Sequence, residues 1–174
     1  MDYGGTVLLR LNVACSIVSF VSAKEAALTS PERIPLLVTV GVSGHRKPDQ
    51  LGDVDTLRET VAGQFSQLAN SFRKANGNVQ FLLFSPLADG ADRLLVDAVW
   101  QVQPEARLIV PMPFEQAQYE ASFFDARSVE QFRGYLRHPN CIEAFVLPGG
   151  TQGEYLDVGK FVVDHSDIMF FLRD

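Results

Sequence analysis

The chain has 174 residues, of which 47% are apolar and 21% charged, enough to bury the core of one globular domain. Its formal net charge of −6 excludes a broad basic surface, and with it double-stranded nucleic acid or an anionic membrane as partner. A local basic pocket remains compatible with that total.

The amino-terminal part is apolar from Val7 to Ala23 and closes on Val21-Ser22-Ala23, which has the look of a signal-peptidase site. Asp2 and the single basic residue Arg10 make a poor leader, however. Arg10 and Asn12 also interrupt the run as a spanning helix. A secretion signal, an extra strand or helix, and an extension outside the domain are the three readings. The third is preferred, because the chain beyond residue 34 has the pattern of a cytoplasmic ligand-binding fold. Residues 1–34 are expected to attach loosely and contribute little to the core, and residues 35–174 to form the domain, with Thr29–Glu32 as boundary.

From Leu36 the pattern alternates. Leu36–Val42 is a continuous apolar run, as a strand covered on both faces requires. Val54, Leu57, Val61, Phe65, Leu68 and Phe72 then recur at helical spacing, with Asp49, Asp53 and Asp55 near the start and Asn76-Gly77 as the stop. Val79–Phe84 is the second strand, and the second helix begins near Asp89-Gly90, shows Ala91, Leu94, Leu95, Ala98, Val99 and Val102 on one face, and is ended by Pro104. Arg107–Val110 is the third strand. Polar helical segments follow at about 115–123 and 128–136, then a fourth strand over Cys141–Val146. A helix carries Tyr155, Val158, Val162 and Val163, and Ile168–Leu172 is the fifth strand. Strands alternating with helices predict a parallel sheet in an α/β domain.

Ligands of open α/β sheets bind beyond the carboxyl ends of the strands. The first such end is Gly41-Val42-Ser43-Gly44-His45-Arg46, where Arg46 brings a permanent charge suited to phosphate. It lacks both GxGxxG spacing and a GK[ST] sequence. The second is Ser85-Pro86-Leu87-Ala88-Asp89-Gly90-Ala91-Asp92-Arg93, leading into a helix amino end. Asp89 and Asp92 there would repel a phosphate and suit a ribose diol better. Equally, Asp89 could cap the helix and Asp92 complement its dipole. Asp164-His165-Ser166-Asp167 precedes the last strand and reads as a turn, since hydrolase triads converge from separate segments. Pro148–Glu154 reads as a strand-to-helix loop. Ser85 lacks nucleophile-elbow surroundings, and Cys15 and Cys141 read as buried free thiols of a reducing compartment. His45, His138 and His165 have no metal-ligand spacing, so no metal or cofactor is expected.

Four segments in order resemble the SLOG superfamily, Rossmann-like domains related to the cytokinin-activating lonely-guy enzymes and to the DNA-processing protein A family. They are VGVSGHR (Val40–Arg46), SPLADGAD (Ser85–Asp92), VPMPF (Val110–Phe114) followed by Tyr119-Glu120, and YLDVGKFVVDHSDIMFFLRD (Tyr155–Asp174). They are similar to the VGVTGHR, SPLAEGAD, VPLPF and YxxxGxxVxxHSDxLxxxWDG patterns of a bacterial branch, over about residues 36–174. The resemblance implies a three-layer α/β/α Rossmann-like fold with a mainly parallel sheet. Counted from the Leu36 strand, the implied order is 4-3-2-1-5, with a further family strand beyond the fifth. It also implies binding of nucleotides or nucleotide-derived signals. Some branches cleave a nucleoside monophosphate between base and ribose phosphate, and others sense a ligand or bind single-stranded DNA.

The family pattern continues with a glycine-threonine phosphate loop after the WDG-like position. The sequence stops at Asp174, so a carboxyl-terminal truncation is expected, with Ile168–Leu172 left as a bare edge that invites homo-oligomers. The enzyme branch's PGGxGTxxE motif is matched only at Pro148-Gly149-Gly150, before the wrong strand. The expectation is therefore a sensor for a small nucleotide-derived ligand, with no catalytic residue. Its ligand-binding residues are Gly41, Ser43, Gly44, His45, Arg46, Ser85, Ala88, Asp89, Gly90 and Asp92, with Gly44, His45 and Arg46 facing phosphate or base and Asp89, Gly90 and Asp92 facing ribose. The alternatives are a lonely-guy-type nucleoside 5′-monophosphate phosphoribohydrolase using Asp89 or Asp92, and a truncated scaffold without a ligand.

Overall fold

The computed structural model describes residues 6–11, 34–44, 46–47, 52–148 and 154–173. Six strands form one sheet: β1 (Thr6–Leu11), β2 (Leu36–Gly44), β3 (Val79–Phe84), β4 (Arg107–Met112), β5 (Cys141–Val146) and β6 (Ile168–Arg173). Their order is β1-β6-β2-β3-β4-β5. The five strands from β2 onward are all parallel, in the order 4-3-2-1-5 counted from β2, as expected of a Rossmann-like domain.

β1 departs from expectation. It pairs antiparallel with β6 along six residues, from Thr6 opposite Arg173 to Leu11 opposite Ile168. The edge of Ile168–Leu172, expected to be bare, is therefore hydrogen-bonded, and the argument for homo-oligomers through it falls. β5 forms the other edge of the sheet.

Five helices are described: α1 (Val54–Asn76), α2 (Ala91–Val102), α3 (Gln116–Glu120), α4 (Ala126–Arg137) and α5 (Glu154–Asp164). Strand residues alternate between two faces. Val38, Val40, Val42, Phe81, Leu83, Leu108, Val110, Phe170 and Leu172 join α1, α2 and α4 in the main core. Phe84 and Met169 face the other way, onto Val158 and Val162 of α5. α1 begins where Asp53 accepts from the Thr56 N–H at 2.8 Å, and ends at Gly77, whose φ of 82° suits only glycine well. At the far end of α2, the Trp100 indole N–H donates to the Ala106 carbonyl at 2.8 Å. Its ring stacks on His138, with centroids 4.0 Å apart.

The Asp164–Asp167 turn serves as a staple between strands. Asp167 accepts from both the N–H and the hydroxyl of Thr39 at 2.8 Å, fixing the start of β6 against the middle of β2. Ser166 donates to the Val162 carbonyl at 2.6 Å. Cys141 is half-buried rather than buried, and burial pushes its thiol pKa up; Cys15 lies outside the described residues. No helix among the described residues is long and apolar enough to cross a membrane.

Candidate functional site

The carboxyl ends of β2 and β3 stand side by side, with Gly41 opposite Phe84. The two glycines at the end of β2 are there for packing. A Cβ on Gly41 would lie 2.5 Å from both Met169 Sδ and Ser166 Oγ. On Gly44 it would lie 2.6 Å from the Leu172 carbonyl oxygen and 2.8 Å from Ala91 Cβ. Both let β2 approach β6, α5 and the start of α2. Ser43 is exposed, and His45 lies outside the described residues.

After β3 the chain passes through a tight, buried turn. Ser85 is fully buried, and its hydroxyl accepts from the Leu87 N–H at 3.1 Å. Leu87 has φ 59°, in the left-handed region that a branched side chain rarely occupies. Its fully buried side chain and a bond from Arg93 Nε to its carbonyl at 2.9 Å hold it there. Such a conformation costs about 1–3 kcal/mol and persists only where the surroundings over-determine it. Gly90, at φ 96°, is the N-cap of α2 and supplies no capping side chain.

Asp89 therefore neither caps the helix nor stands free for a ribose. Its carboxylate is the counter-ion of buried Arg93, at 3.1 Å one helical turn away. It also accepts from the Ser128 hydroxyl, from the Phe124 N–H at 3.3 Å and from Arg46 Nη2 at 3.4 Å. Burial pulls the Arg93 pKa down, opposed first by Asp89, and a guanidinium stays charged regardless. Arg93 Nη1 reaches the Ser128 carbonyl at 3.0 Å, and its guanidinium lies 4.7 Å from the Phe123 ring centroid. One ion pair thus joins the β3–α2 turn to the segment entering α4.

Asp92, expected beside Asp89 in one cleft, turns inward. It accepts from the Ala88 N–H at 3.1 Å and is almost wholly buried. Burial raises its pKa to about 7, against the lowering pull of the Ala88 N–H, Arg93 and Arg46. Glu120 of the Tyr119-Glu120 pair takes a two-pronged bond from Arg133 at 2.9 and 2.5 Å, which ties α3 to α4 and holds its carboxyl down at about 2.

What opens between these elements is a cleft of about 540 Å³. Its floor includes Asp89, Gly90 and Arg93; Arg46 and Lys47 come from the end of β2, and Arg58 from the first turns of α1. The far wall is the stretch from Phe124 to Gln131. Five cations, Arg46, Lys47, Arg58, Arg93 and Arg127, meet three carboxylates, Asp89, Asp97 and Asp125. Every carboxylate is already engaged. Asp89 holds Arg93, Asp125 caps α4 by accepting from the Ser128 N–H at 2.8 Å, and Asp97 accepts from the Tyr135 hydroxyl at 2.6 Å. Burial also raises the Asp97 pKa. Arg58 is paired with Asp55 at 2.6 Å, whereas Lys47 and Arg127 form no ion pair among the described residues. A protein of net charge −6 thus concentrates surplus positive charge in one concave place.

Of the residues singled out in the sequence, Arg46, Asp89 and Gly90 line this cleft. Asp92, Ser85 and Ala88 support the turn beneath it. Lys47, Arg58, Arg93, Phe124, Arg127 and Ser128 were not anticipated. The Asp89–Arg93 spacing of four was a visible signal for an ion pair along a helix. Arg127 and Gln131, also four apart, share a helical face. No group of three or more His, Cys, Asp or Glu side chains among the described residues could hold a metal ion. Fold and site together define a Rossmann-like α/β domain with a cationic cleft at the carboxyl end of its sheet. In comparisons with known proteins, no family model and no curated protein matches the chain.

Proposed function

We propose that this chain is a SLOG-type domain that binds a nucleotide or nucleotide derivative in the cytoplasm, as a sensor. The observation that carries the reading is the surplus of cations in a cleft whose carboxylates are all committed to internal partners. Five cations against three carboxylates leave the cleft net positive, which attracts a phosphate. Arg46 is the leading phosphate ligand, since it stands half-exposed at the mouth and presents a planar fork. Its bond to Asp89, at 3.4 Å, is long enough to yield to a phosphate oxygen. Calorimetric titration of nucleoside mono- and diphosphates should show binding in the parent chain. Arg46→Ala should weaken it roughly ten- to hundredfold, the value of a charge-assisted hydrogen bond. Unchanged affinity in the variant would place the ligand elsewhere.

One observation favours the phosphoribohydrolase as a second reading. Asp92, with its pKa raised to about 7, is partly protonated near neutral pH and could pass that proton to a departing base. It lies outside the cleft lining, under the Ala88 N–H, which ranks this reading second. Release of free base from nucleoside monophosphates, abolished by Asp92→Asn, would promote it.

A further inference from the structure

Phe124 is 56% exposed, although it belongs to the lining of the cleft and sits among charged residues. An aromatic ring left in water at that place forgoes the stabilisation that burial would bring. Its position is fixed: the Phe124 N–H donates to Asp89, and the neighbouring Ser122 carbonyl accepts from Arg46 at 3.1 Å. The Arg46 guanidinium lies 5.5 Å and the Lys47 ammonium 5.8 Å from the ring centroid. One flat apolar surface is thereby held at a cationic mouth. That combination matches a ligand which is itself a flat aromatic system joined to an anion.

We infer that Phe124 is the platform on which the base of a nucleoside phosphate stacks, while Arg46 and Lys47, the two cations that stand over the ring, turn from it to take the phosphate. The inference rests on the nucleotide reading above and adds the subsite that separates a nucleotide from a sugar phosphate. Base–aromatic stacking tolerates any base, because every base presents a π face. The platform therefore selects for the presence of a base rather than its identity.

Titration of the four nucleoside 5′-monophosphates and of ribose 5-phosphate, into the parent chain and into Phe124→Ala and Phe124→Tyr, tests this. The parent should bind the best nucleoside monophosphate about tenfold more tightly than ribose 5-phosphate. Phe124→Ala should abolish that preference and leave ribose 5-phosphate affinity within about twofold; Phe124→Tyr should retain the preference. A preference that survives Phe124→Ala, or that the parent lacks, overturns the platform while leaving the nucleotide reading standing. A parent that binds neither compound overturns both.

Discussion

Replacing Asp92 by asparagine probes the buried carboxyl directly, because the amide keeps the shape and its oxygen can still accept from the Ala88 N–H. In the native chain the Asp92 pKa rises from 3.8 to about 7, chiefly through burial. Well below pH 3.8 the group is protonated both folded and unfolded, and contributes nothing to the pH dependence. Between 4 and 7 the unfolded chain has lost a proton that the folded chain keeps. Stability must then fall as pH rises, by up to about 1.4 kcal/mol per pH unit. The shift spans about three pH units, so the accumulated loss is at most about 4 kcal/mol, constant above pH 7. Asp92→Asn removes this loss. Urea denaturation at pH 4.5, 6, 7 and 8 should show the variant gaining on the parent with each step and then running parallel. Other carboxylates titrate alike in both chains and cancel in the difference. A difference independent of pH would show that Asp92 ionises normally in the folded protein, and would refute its assignment as a buried, neutral acid.

Asp89→Ala should destabilise the fold by about 3–5 kcal/mol in chemical denaturation, because it strands the buried Arg93 guanidinium without its counter-ion. The double variant with Arg93→Met should recover part of that loss, and a surface role for Asp89 would leave the single variant near parent stability. Gly44→Ala should lower the melting temperature, since its Cβ would meet the Leu172 carbonyl at 2.6 Å. Gly63→Ala, in the interior of α1 with nothing within 4 Å, should stabilise by about 0.5–1 kcal/mol. The opposite signs of these two glycine changes, read in one thermal scan series, check the packing role given to Gly44.

The sheet was legible because its signals are local. Leu36–Val42 is apolar but for Thr39, Asp53 stands where a cap belongs, and each helix carries its own period. β1 was not, since Val7–Leu11 runs on into further apolar residues, and its strand partner, β6, lies some 160 residues away. The cleft was half legible. Arg46 and Asp89 sit at strand ends, where the topology alone puts ligands. Its far wall comes from Phe124 to Gln131, brought in by the packing of Phe123 and Phe132 against Tyr119 and by the Ser128–Asp89 bond. Nothing in the local pattern of that helix announces the contact. Asp89 and Asp92 looked equivalent in sequence, three apart at a helix start. One faces the ion pair and the other the Ala88 N–H, a distinction set by the unusual backbone of Leu87 and Gly90.

The single tryptophan gives the molecule an optical label at a known address. Trp100 lies ten residues along α2 from Gly90, about 15 Å at the rise of a helix, and three residues beyond Asp97 of the cleft lining. Its emission depends on the stack with His138, just beyond α4, and on the bond to Ala106 before β4. Any change in emission on adding a nucleotide would therefore signal movement of α2 against α4, and an unchanged spectrum at saturation would mark a receptor that fills without rearranging.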